Sequence, residues 1–296
     1  MAIVLGLLVA LAYGSGDFFG GLAAKRTAAI TVVIGSFGTA TVLLVVVTAG
    51  WFLVGTPPTP SSQDLWLGVA VGLIGPIAIG LLYNGLATGR MSVVAPITAV
   101  VAAIVPLAWG LAHGERPSTI ALCGVAVALC SVVLIAGAPA HEDHPDDAPD
   151  APISRVIPSA VASGLGFGAV FVLLGSTSPH AGLWPLLVSR PLSVACTVVV
   201  ALIVARRQGI GPRTGVVAAR PSWRFVASAG VLDVSANGLY LAATNAGLLS
   251  IVAVLSSLYP AATVVWARIF LGERLHRVQV IGLALAAGGI AAMAVG

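Results

Sequence analysis

Three ionisable residues, Asp17, Arg190 and Asp233, stand well inside long apolar stretches of this sequence. Burying such a group in hydrocarbon costs at least ~2.5–3.5 kcal/mol, so something must offset it. An aspartate and Arg190 can neutralise one another and lock helices together, or the charges can line a watery cavity, where they bind a solute or carry protons. Read as helices, the segments around them add polar neighbours. Tyr13 stands one turn from Asp17, and Asp233, Asn237, Tyr240 and Thr244 form one stripe at spacings of 4, 3 and 4 residues. Such a stripe should face a cavity or another helix and not lipid. Counting helical rise puts Asp17 and Asp233 at similar depth and Arg190 about 10 Å away, so a tight pair would need the full reach of the arginine. Two carboxylates at one depth disfavour joint ionisation, which is the property a proton-coupled site uses. Tyr83 and Asn84 are weaker candidates for the same pathway, since they also suit a helix end.

The elements that position these residues are membrane spans. Of 296 residues, 58% are hydrophobic and 8% charged, with a mean hydropathy of +1.06. A water-soluble fold would have to expose large apolar patches, whereas lipid accepts them. Apolar stretches run from about 3 to 23, 29 to 53, 65 to 87, 91 to 112, 118 to 138, 157 to 176, 182 to 205, 224 to 245, 249 to 271 and 277 to 295, each long enough to cross ~30 Å of hydrocarbon. The expected fold is all-α: a polytopic membrane protein of ten transmembrane helices. Small residues at helical spacing (Gly68 and Gly72, Gly164 and Gly168) let backbones approach closely, within the chain or across a homodimer. Prolines inside spans (Pro76, Pro96, Pro106, Pro191, Pro260) should kink or loosen them.

The chain divides into two related halves, 1–138 and 157–296, around an acidic Pro/His linker, 139–156, that carries five of the ten acidic residues. Sliding the second half back by 158 positions places Gly247 on Gly89, Gly282 on Gly124, and Gly272-Glu273-Arg274 on Gly114-Glu115-Arg116. Five spans is an odd number, so the second repeat enters the membrane from the opposite side. That inverted arrangement sets a binding site between the halves near the midplane. The charges are not duplicated: Asp233 falls on Gly75. Asp17, with the shorter offset that sets Gly14 on Gly166, falls on Ala169. Glu115 and Glu273, beside arginines in tight turns, read as turn-fixing ion pairs. All but one of the cations that bear on orientation lie on one side, Arg116 being the exception. The positive-inside rule then makes the cytoplasmic membrane the expected location and puts both termini outside.

The run Leu258-Tyr259-Pro260-Ala261-Ala262-Thr263-Val264-Val265-Trp266-Ala267-Arg268-Ile269-Phe270-Leu271-Gly272-Glu273-Arg274, followed by Gln279 and Gly282, resembles the closing segment of EamA-type members of the drug/metabolite transporter (DMT) superfamily. Its counterpart from Met91 to Pro96 and on through Gly114-Glu115-Arg116-Pro117 resembles the same segment. The resemblance implies a ten-helix fold and a secondary carrier, often an exporter, of amino acids, other metabolites or drugs, and no enzyme. It does not choose among substrates, because the motif lies at helix ends. Some members of the superfamily are drawn with cytoplasmic termini, against the cation count here.

Other chemistries find little footing. No G-x-x-x-x-G-K-[ST] loop is present, so no ATPase site drives the chain. The scattered cations form no stripe for nucleic acid. Cys123, Cys130 and Cys196 lack ligand spacing and read as small hydrophobes; His141 and His144 sit in the linker, and no metal or cofactor is expected. The expected partners are the lipid bilayer, a small-molecule substrate and protons. Gly14-Ser15-Gly16-Asp17 does spell the G-x-G-D of intramembrane aspartyl proteases, with Asp233 as a second carboxylate. The order of the two aspartates is reversed from that family, and its Pro-Ala-Leu motif is missing. A non-transporting sensor or assembly subunit is a third reading, although every loop is about 20 residues or shorter.

Overall fold

The computed structural model describes residues 1–24, 27, 29–55, 58–88, 91–137, 153–207, 223–272 and 275–296; the side chains of 29, 54, 83–88, 91–93, 153–156 and 207 are outside that description. Every regular element among them is helical. The first half contributes α1 (Ala2–Ala24), α2 (Ala29–Val54), α3 (Ser62–Thr88), α4 (Met91–Ala112) and α5 (Thr119–Ala136). The second contributes α6 (Ile153–Gly175), α7 (Trp184–Arg207), α8 (Trp223–Ala246), α9 (Leu249–Ser256), α10 (Tyr259–Trp266) and α11 (Arg277–Val295). Among the described residues, ten spans are long and apolar enough to cross a membrane, the ninth being Leu249–Leu271. In hydrocarbon the backbone must satisfy its own polar groups, so segments apolar on all sides fold as helices.

Local chemistry ends these helices where the sequence changes. Gly114, at φ +98°, closes α4: its N–H donates to the Leu111 carbonyl, and the N–H of Glu115 donates to Gly110. This is the Schellman pattern, which needs a residue free to adopt positive φ. Ser118 then caps α5 by accepting from the Ala121 N–H at 3.1 Å. The ninth span is interrupted at a proline expected to kink or loosen it. It breaks at Ser257–Leu258, because Pro260 has no N–H to donate back to Ser256, and it ends in a π-helical turn, Ala267–Leu271. Pro76, Pro96, Pro106 and Pro191 stay inside continuous helices.

The inverted repeat is visible in packing as well as in sequence. A Cβ on Gly124 of α5 would meet Met293 of α11, and one on Gly282 of α11 would meet Ile135 of α5. Shifting by 158 converts one contact into the other, so α5 and α11 pack antiparallel about a pseudo-twofold axis. Gly272 repeats the positive φ of Gly114, and His276 repeats the N-cap position of Ser118. The first helices follow another offset. Gly14 abuts Tyr259 as Gly164 abuts Val101, and Gly16 abuts Leu232 as Gly166 abuts Ile74. The expected match of Gly14 with Gly166 is therefore corrected to Gly164, which places Phe167 opposite Asp17. The glycine spacing in α6 (164, 166, 168) permitted either register, and helix contacts decide it.

The two halves interlock. α1 packs on α8, α9 and α10 of the other half, and α6 packs on α3 and α4. α2 joins the first set through α8, and α7 joins the second through α3. Two packing groups result, each built from both halves, and α2 on α7 and α9 on α4 join them. The expected glycine stripes serve this internal packing: Gly68 and Gly72 meet Pro185 and Ser189 of α7, and Gly164 and Gly168 meet Val101 and Val105 of α4.

Candidate functional site

The polar residues singled out above meet where the two groups face each other. On α1, three neighbouring residues are committed to packing. Gly14 meets α10 at Tyr259 and Ala262, and Gly16 meets α8 at Leu232 and Asp233. Ser15 donates to the Leu11 carbonyl at 2.6 Å and accepts from Trp266 Nε1 at 2.6 Å. The glycines of Gly14-Ser15-Gly16-Asp17 are thus accounted for by helix contact.

Asp17 points elsewhere. Val4, Leu8 and Leu11 form the exposed apolar stripe of α1, as a lipid-facing surface does. At 3.6 residues per turn, Asp17 lies about 150° around the helix from that stripe. It shares this opposite arc with Tyr13, whose ring approaches Phe171 of α6 at 6.1 Å. Asp17 is nevertheless exposed. Gly21 and Ala24, further along the same arc, are exposed with it.

Across from α1, Arg190 of α7 and Asp233 of α8 form an ion pair, Nη2 to Oδ2 at 2.8 Å. The depth difference counted from the sequence asked for the full reach of the arginine in this pair. It assumed helices level at their ends, and the long arginine side chain closes what remains. The guanidinium also lies over the Phe37 ring of α2, 5.1 Å from its centroid. Arg190 is 7% exposed, and its Nε is without a hydrogen-bond partner among the described residues. Asp233 Oδ2 is close enough for the ion pair yet off the line of a hydrogen bond.

The α8 stripe is internally coupled. Asn237 Nδ2 donates to the Asp233 carbonyl at 2.7 Å and to its Oδ1 at 3.4 Å, which steadies the carboxylate. Tyr240 is fully buried; its hydroxyl donates to the Phe171 carbonyl at 3.2 Å and its ring stacks on Phe171 at 4.9 Å. Thr244 turns back to the Tyr240 and Leu241 carbonyls of its own helix. The structure therefore gathers Tyr13, Asp17, Arg190, Asp233, Asn237 and Tyr240. The side chains of Tyr83 and Asn84 lie outside the described residues, as do the linker histidines His141 and His144.

Two features were not read from the sequence. Phe18, Phe19, Phe225, Trp266 and Phe270 form an aromatic cluster beside Asp17, with neighbouring centroids 5.4–6.4 Å apart. Asp64 is 2% exposed and accepts from the N–H and hydroxyl of both Ser61 and Ser178 at 2.7–2.9 Å. The spacing Ser61-x-x-Asp64 at a helix start was a legible capping signal.

Glu115 corrects an expectation. It is not paired with its neighbouring arginine, whose Nη1 donates to the Leu111 and Glu115 carbonyls. The carboxylate instead accepts from the N–H groups of Leu249 (2.7 Å) and Ser250 (3.0 Å) in the other half. Unpaired N–H groups at a helix start attract a carboxylate more firmly than an exposed guanidinium does. Glu273 lies outside the described residues.

Ten apolar spans among the described residues, with ionisable groups set within them, define a multi-pass membrane protein. A solved crystal structure superposes on 99% of this chain and 98% of its own with a TM-score of 0.72 at 14% identity, which establishes the shared fold. The model of the EamA-like transporter family matches residues 1–137 and 154–295, and the chain belongs to that family within the DMT superfamily. A search of curated proteins returned no match.

Proposed function

We propose that this protein is a proton-coupled secondary carrier that exports a small metabolite, amino acid or drug across the cytoplasmic membrane by alternating access. The observation that carries the reading is Asp17, an exposed carboxylate on the interior arc of α1, beside an ion pair that joins the two packing groups. Substrate and protons compete for the same charges. For a solute anion the reading offers the Arg190 Nε–H, buried and without an acceptor among the described residues, and for a cationic group or a proton it offers Asp17. Either event alters the balance holding Arg190 to Asp233, and with it the contact between the groups. The moving units in this reading are the interlocked groups (α1, α2, α8–α10 and α3, α4, α6, α7), because motion of one sequence half against the other would break most helix contacts.

The test is flux in proteoliposomes with and without a pH gradient, for amino acids, small metabolites and cationic drugs. Wild type should move at least one solute faster when the gradient is imposed. Asp17→Asn and Asp233→Asn should lose that acceleration. Equal flux in all three proteins would make the carboxylates structural, and no flux of any solute would remove the carrier reading.

The same reading places both termini outside, from the cation distribution. A C-terminal alkaline phosphatase fusion should be active and a C-terminal green fluorescent protein fusion dark; the reverse pattern would invert the topology.

A further inference from the structure

We infer that Glu115 is a latch that holds the face bearing both termini shut, and that opening of this face requires its release. The inference rests on the carrier reading for its purpose, although the latch itself is tested independently of flux.

α9 begins without a cap of its own: Leu248 occupies the N-cap position and provides no side-chain hydrogen bond. The N–H groups of Leu249 and Ser250, at the first two helical positions, have no intrahelical acceptor by geometry. Glu115 supplies both acceptors from 134 and 135 residues away. The helix start is thus completed by the other sequence half, since Glu115 follows α4, and α9 packs on both α4 and α1.

The local chain is shaped for this reach. Gly114 at φ +98° turns the backbone back so that Glu115 follows directly on the end of α4. Gly110, one turn earlier, leaves room for the folded-back carboxylate; a Cβ there would strike Glu115 Oε2. Ser250 lies under the contact with 0% exposure, and its Oγ is without a partner among the described residues. The latch sits on the face of the termini: Ala2, Arg116, Ser118, Leu248 and Gly296 line one crevice there.

Lower down, the groups make polar contact through Arg190–Asp233 and Tyr240–Phe171, beside the packing of α2 on α7 and of α9 on α4. Of these polar bridges, only that of Glu115 lies at the membrane face, where its rupture exposes N–H groups to water and not to lipid. A carboxylate bound to two backbone donors is strong enough to hold a gate and reversible enough to release it.

The experiment uses full-length protein purified in detergent, with Cys123, Cys130 and Cys196 replaced by alanine. Ser250→Cys, which keeps its N–H, reports opening through its reaction with a hydrophilic maleimide. Ser131→Cys, 0% exposed in the α5 packing core, reports general loosening. Glu115→Ala should raise labelling at position 250 at least tenfold and leave position 131 silent. Glu115→Gln, which keeps one acceptor, should fall between, and Glu115→Asp should recover part of the protection. Increased labelling at both positions would mean lost folding and not an opened gate. Unchanged labelling at 250 would mean that other contacts close this face. Either outcome overturns the latch. Absence of flux in proteoliposomes of the wild type would defeat the carrier reading alone and leave the labelling result standing.

Discussion

The Arg190–Asp233 pair links sequence cost to mechanism at the scale of single residues. Removing one member of a buried pair strands the other charge, an effect worth about 3–5 kcal/mol in dry interiors. Asp233 retains 28% side-chain exposure, so the lower end applies, about 3 kcal/mol. Arg190→Met should therefore depress the melting temperature in detergent, and adding Asp233→Asn should restore most of the loss. An uncorrected double mutant would mean that the arginine stabilises mainly through its contact with Phe37. Asp17→Asn should leave melting nearly unchanged, because the carboxylate is exposed and has no hydrogen bond among the described residues. The chemistry of these residues was legible in the sequence because a charge within an apolar span is rare. The role of Glu115 was not, because its partners are backbone N–H groups, and no residue identity at 249 or 250 records them.

Helix boundaries followed from apolar length and turn chemistry, and the break in the ninth span is attributable to Pro260, which the sequence also displayed. What spacing could not decide was which glycine meets which helix. The sequence offered Gly166 as the counterpart of Gly14, and the contacts choose Gly164. Close approach at α5 and α11 gives a matched test of this packing. A Cβ on Gly124 would sit 2.8 Å from the Gly289 carbonyl and 2.9 Å from Met293 Cγ, whereas Gly288, exposed on α11, has open space. Gly124→Ala should cost about 1–3 kcal/mol through overpacking. Gly288→Ala should be neutral or stabilising by up to about 1 kcal/mol, since alanine favours a helix. Thermal melts of the two variants in one detergent check the contrast, and equal melting temperatures would show that α5 and α11 part easily.

The repeat announced itself in the whole sequence, but the interlocking of its copies did not, since a shared offset says nothing about which copy packs on which. The first helix of each half lies against the third and fourth spans of the other, so neither half has its principal partners within itself. A half produced alone would leave glycine faces and the Arg190–Asp233 region without their complements, and association in lipid depends on such close packing. Residues 1–138 and 157–296, expressed separately, should each aggregate on detergent extraction or yield to protease. Expressed together without the linker, they should copurify in equal amounts and recover the melting transition of the intact chain. The linker then serves only to raise the effective concentration of one half for the other. A half that is monodisperse and protease-resistant by itself would instead require its helices to pack among themselves, and the moving units would have to be redrawn as the sequence halves.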